Sequence, residues 1–217
     1  MLFLLVLLSM LLGIAVACVT VSERRVPYQV FAASVAIAAG AFLDGESNSI
    51  TRPEQLYASQ SLIAFGTTLF IGPALAYGFL QMLKQGGTHL VSLIVIFSMT
   101  QNIGGLAGSA ILGTTQVIQA KAHAATLAER VIAADPQVAG RIQNGVVVVS
   151  GVIGDPVLRG AQGAGLLGRT LATEANTLAF NDVFRLVGWF AVATAIYLAY
   201  LIILGIRRRR RETMVTT

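Results

Sequence analysis

Charge is scarce in this chain. Asp, Glu, Lys and Arg make up 12% of its 217 residues, about half the roughly 25% of a soluble globular domain. Too little charge remains to cover a water-facing surface, so an ordinary soluble fold is excluded. Cysteine is nearly absent: Cys18 stands alone, which excludes an intrachain disulfide and a cysteine-rich metal site. Histidine is limited to His89 and His123. No phosphate-binding glycine loop is present, because Gly104-Gly105-Leu106-Ala107-Gly108 follows no strand and lies inside an apolar run. No span carries paired ionisable groups, so neither an enzyme nor a metal or cofactor is expected.

What is abundant is apolar sequence. Hydrophobic residues are 55% of the chain and the mean hydropathy is +0.75. The 22 glycines fit a lipid environment, where small residues let helices approach closely. A bilayer core of ~30 Å needs about 20 apolar residues as helix. Unpaired backbone groups are too costly in lipid for the spans to be anything else. The expected fold class is therefore all-α, a polytopic membrane protein forming a single transmembrane domain, 1–217. Its spans are expected at about 2–21, 27–43, 57–82, 90–118 and 183–206.

The run Ala15-Val16-Ala17-Cys18 weakly resembles a lipoprotein cleavage box. No Lys or Arg precedes Arg24, however, so the positive start of a signal peptide is missing. Cys18 is expected to be a buried small hydrophobe. Pro27 suits the first turn of the second span. Arg185 can snorkel near the outer end of the last.

Between the fourth and fifth spans lies a long connection, about 120–182. Ala122 to Ala134 reads as a helix ended by Asp135-Pro136. Gly145 to Gly168 reads as a partly buried loop, and Asp155-Pro156 as a turn or helix start. Leu166 to Phe180 reads as helix, able to continue into the last span.

Charge distribution sets the orientation. Five of the 15 basic residues form one run, Arg207 to Arg211, directly after an apolar stretch, which is the place of a cytoplasmic anchor rather than a nucleic-acid-binding face. Five spans then put Met1 outside. Arg24, Arg25 and Lys84 join the tail 207–217 in the cytoplasm, whereas the loop Asp44 to Glu54 holds Arg52 against Asp44, Glu46 and Glu54. This is the positive-inside pattern. The expected location is the inner (plasma) membrane, with the 120–182 connection periplasmic. His89 and His123 then lie on opposite sides and cannot share a metal; each reads as a polar residue at a helix end.

The fourth span is the most informative. Gln101 and Asn102 place two amides at membrane depth. Gly104 and Gly108 share a face with Gln101, while Gly105 and Ser109 share one with Asn102, and Gly113 extends that second stripe. Such stripes permit close helix packing. The amides cannot face lipid cheaply, so they either bond other helices or line a solute pathway. Gln60 and Ser61 form a second polar pair, on the third span. Gly72 and Pro73 are a candidate hinge there, since proline removes a backbone donor.

The string Gln101 to Thr114 resembles the penultimate helix of the fourteen-span drug:proton antiporters of the major facilitator superfamily, which commonly show N-x-x-G-G-x-x-G-x-A-x-x-G-T there. Leu178-Ala179-Phe180-Asn181-Asp182-Val183-Phe184 is similar to the family's entry into its final helix. A long outer connection with a histidine, here His123, joins the two. The resemblance implies an incomplete C-terminal bundle of a proton-coupled efflux transporter. It implies small organic solutes as substrate, the N-terminal transporter half as a partner alongside the lipid bilayer, and no role for nucleic acid.

The departures bear on competence. The N-terminal bundle and its coupling carboxylates are absent, as is one helix of the C-terminal bundle. The loop Ser22 to Pro27 is short, and lacks the Gly and Asp of the family's loop. No acidic residue is expected at mid-membrane. The chain is thus expected not to be competent alone. The alternative is an independent small membrane protein with a structural or assembly role.

Overall fold

A computed structural model describes residues 2–20, 22, 25–84, 90–131 and 135–215. Every regular element among them is helical: α1 (Leu2–Thr20), α2 (Val26–Asp44), α3 (Tyr57–Lys84), α4 (Leu90–Glu129), α5 (Pro136–Val149) and α6 (Pro156–Val215), with a 3₁₀ turn at Pro53–Leu56 before α3. Five of these helices are long and apolar enough to cross a membrane. Glu23, Arg24 and His89 lie outside the described residues, as do residues 85–88 of the loop expected to be cytoplasmic.

The chain divides into two compact units. The first comprises Met1–Glu46, Thr51–Ser109 and Phe184–Thr217, and the second Ser47–Ile50 and Ala110–Val183.

In the first unit α3 packs against both α1 and α2. Ala17, Ala33 and Leu69 form its buried cluster, with Phe65 against them. Small residues allow this approach. A Cβ on Gly66 would fall 2.9 Å from the Ala33 carbonyl oxygen, and one on Gly40 would fall 2.8 Å from that of Ser59. Gly13 sits in the same way against Thr68 and Phe65, and Gly72 against Ala17. These pairings run α1 parallel to α3 and α2 antiparallel to it. Pro73 is fully buried within the continuous α3, and Gly72 beside it serves the contact with α1. The ring of Phe42 meets Trp189 of α6 edge-on, with centroids 5.5 Å apart.

The second unit corrects two expectations. Ala122 does not begin a new helix: α4 runs unbroken for 40 residues, about 60 Å. Gly145 to Gly168 is not a loop: it comprises the end of α5, a short turn at 150–155 and the start of α6, which together form a helical hairpin. There Gly163 lets the backbones meet, since a Cβ on it would lie 2.7 Å from the Ile142 carbonyl oxygen. The start of α5 is capped by Asp135, which accepts from the Gln137 N–H at 2.8 Å; Asp155 accepts from the Val157 N–H at 2.8 Å and starts α6 in the same way. In each case proline takes the first helical position, where no backbone donor is needed. The stretch Leu166 to Phe180 continues into the last span, and α6 reaches 60 residues, about 90 Å.

Cys18 is a third correction. It is exposed, because the buried positions of α1 are Gly13 and Ala17 and the next residue turns about 100° away.

Candidate functional site

The polar centre of the first unit is Asp44, the last residue of α2. It is 1% exposed. Ser59 donates its hydroxyl to Oδ1, and Gln60 Nε2 donates to Oδ2 at 2.6 Å. Both partners are neutral. The antiparallel packing of α2 on α3 creates the cluster, because it lays the end of one helix beside the start of the other. Ser59 Oγ is also 3.0 Å from the Leu56 carbonyl oxygen. A hydroxyl has one hydrogen to donate, so it serves Asp44 or Leu56, not both. Turned to Leu56, the same oxygen can accept from a protonated Asp44. The cluster can therefore hold the carboxyl in either protonation state without losing its contacts.

Gln60, a pathway candidate in the sequence, is thus engaged with Asp44. Ser61 beside it has a buried hydroxyl that meets no hydrogen-bond partner among the described residues. In the sequence Asp44 marks only the boundary of a span. Its burial depends on Ser59 and Gln60 of the next helix, and no local spacing signals that.

Gln101 and Asn102 are exposed on α4, a helix with no buried residue. A Cβ added at Gly104, Gly105, Gly108 or Gly113 would meet nothing within 4 Å. The packing expected of that stripe is not made among the described residues. Close glycine contacts occur instead at Gly13, Gly40, Gly66 and Gly72. Near the start of the last expected span, Arg185 Nη2 donates to Glu46 Oε1 at 3.0 Å.

In the second unit a polar ladder joins α4, α6 and the segment Ser47–Ile50. His123 Nε2 lies 2.8 Å from Asp182 Oδ2, and Gln116 Nε2 donates to Asn176 Oδ1 at 3.3 Å. Asn181 donates to the Ser47 carbonyl, while the Ser49 hydroxyl donates to Glu174. His123 is not at a helix end as expected. The continuation of α4 to Glu129 puts it inside the helix, facing α6. No group of three or more His, Cys, Asp or Glu positioned to hold a metal occurs among the described residues.

Five long apolar helices with few buried polar groups define a multi-pass helical membrane protein. Comparison with known protein families, with curated proteins and with solved structures finds no match to this chain.

Proposed function

We propose that the chain is the C-terminal segment of a proton-coupled efflux transporter of the major facilitator type, acting on small organic compounds together with further membrane helices. The carrying observation is α4. It is long and apolar enough to span a bilayer, yet none of its residues is buried, and it bears Gln101, Asn102 and an uncovered stripe of glycines. Amides at that depth need polar partners or a wet cavity, and both are supplied by additional helices packed on this face. Asp44 supports the proton-coupled reading, because its two neutral donors tolerate either protonation state of the carboxyl. In this reading the inner membrane is the site of action and the arginine tail is cytoplasmic.

The test is reconstitution. Alternating access requires two bundles moving about a central site, so purified chain in liposomes should show no gradient-dependent solute transport. Co-expression with a matching N-terminal half should restore efflux. In that assembly, Gln101→Ala should change which compounds are exported at near-normal abundance, whereas Asn102→Ala should lower abundance and all substrates alike. Transport by the chain alone would overturn the proposal.

A further inference from the structure

The last turn of α2 carries contacts on two opposite faces. Phe42 and Glu46 are four residues apart and share one face. The turn runs on past Asp44, because Gly45 keeps right-handed helical angles and its N–H bonds the Ala41 carbonyl. That face meets α6. The Phe42 ring lies edge-on to Trp189, and Gly188 lets it approach, since a Cβ there would fall 3.0 Å from the ring. Glu46 accepts from Arg185, one turn before Trp189. Asp44 stands about 200° around the axis from Phe42 and faces α3, where Ser59 and Gln60 donate to it. The two faces are held unequally. On the α3 side the helices pack closely and the carboxyl is buried. On the α6 side the Glu46–Arg185 pair is open to solvent, and such pairs contribute little.

We infer that this turn is a proton-operated lever: the protonation state of Asp44, on the α3 side, controls the Phe42–Trp189 contact on the α6 side. The inference rests on the reading of Asp44 as a proton carrier and names what the proton moves. Ionised, Asp44 accepts from Ser59 and Gln60, and hydrogen bonds to a charged group are roughly twice as strong as neutral ones. A proton taken from water onto Oδ1 reverses the first bond. The carboxyl then donates to Ser59 Oγ, and the Ser59 hydroxyl turns its own hydrogen to the Leu56 carbonyl, 3.0 Å away. Gln60 keeps a weaker bond to Oδ2. The hold of α3 on the end of α2 slackens, and Phe42, on the same turn, shifts against Trp189. Release of the proton to water restores the first state. Both partners of Asp44 among the described residues are neutral. The charged groups nearest along the chain are Glu46, engaged with Arg185, and Arg52 and Glu54 of the turn before α3, both exposed; Tyr57, which begins α3, is half-buried.

Trp189 is the chain's only tryptophan, so its fluorescence reports the contact directly. The full chain in phosphatidylcholine nanodiscs is titrated from alkaline to acid pH. The Trp189 emission maximum should shift in one step. The infrared band of the protonated Asp44 carboxyl, identified by its absence from Asp44→Asn, should rise over the same pH range. Asp44→Asn should lose the emission shift as well. Phe42→Leu should keep the infrared titration and lose the emission shift. Glu46→Gln should keep both, because its amide oxygen still accepts from Arg185 and the side chain cannot titrate. Absence of either signal overturns the inference. So does emission that does not follow the infrared band, a shift that survives Asp44→Asn, or one that disappears with Glu46→Gln. None of these readouts needs transport. A fluorescence titration without efflux by the assembled transporter refutes the proposed function alone, and proton-coupled efflux without the titration refutes the lever alone.

Discussion

Asp44 shows how much one side chain can depend on its neighbours. Removing the carboxyl leaves the part-buried Gln60 amide without its acceptor, while Ser59 can turn to the Leu56 carbonyl, and an unsatisfied buried donor costs about 1–3 kcal/mol. Asp44→Ala should therefore lower the thermal aggregation temperature of the chain in detergent clearly. Asp44→Asn should cost under about 1 kcal/mol, because the introduced amide and that of Gln60 can turn to present complementary atoms. If the proposed function holds, Asp44→Asn in the assembled transporter should still uncouple efflux from the proton gradient, because an amide cannot carry the proton. His123 and Asp182 are a gentler case. Their side chains are 31% and 26% exposed, and pairs open to solvent contribute little. A double-mutant cycle of His123→Ala and Asp182→Ala should return a coupling of about 1 kcal/mol or less. A larger value would mean that the pair is shielded from water.

Among the elements, the glycines separate two kinds of helix surface. Gly66→Leu forces a side chain into the Ala33 carbonyl and Ile37, and overpacking of this kind costs about 1–3 kcal/mol. Gly108→Leu meets open space and should leave the stability of the isolated chain unchanged. In an assembly with partner helices, Gly108→Leu should reduce association, seen as loss of co-purification. Equal destabilisation of the isolated chain by both substitutions would contradict the arrangement of α4. These elements are unequally legible in the sequence. The ends of α1, α2 and α3 follow charge and proline, and Arg25, Pro27 and Lys84 mark them plainly. The α5–α6 hairpin does not declare itself, because Gly145 to Gly168 is rich in residues that break helices when they stand alone. Capping by Asp155 and the tight crossing at Gly163 override that weak local preference. Small-residue stripes mislead in the opposite way. The stripe on α4 is the most conspicuous in the sequence, yet the contacts made are at Gly13, Gly40 and Gly66, where only the partner helix reveals the need.

For the whole molecule, the proposed orientation rests on where the cations lie. A cytoplasm-specific reporter fused after Arg211 should be active, and one fused near Gly145 silent; the reverse would overturn the topology. Synthesis also meets the contacts in a fixed order. The pairings of α1, α2 and α3 lie within the first 84 residues, so they can close early, as each helix leaves the ribosome and enters the bilayer. The partner of Phe42 is Trp189. At about 5–20 residues per second, Trp189 is made roughly 7–30 s after Phe42. During that interval the Phe42 ring is without its Trp189 partner. The three-helix packing can thus form before the α2–α6 ring contact, which must wait for the last helix to emerge.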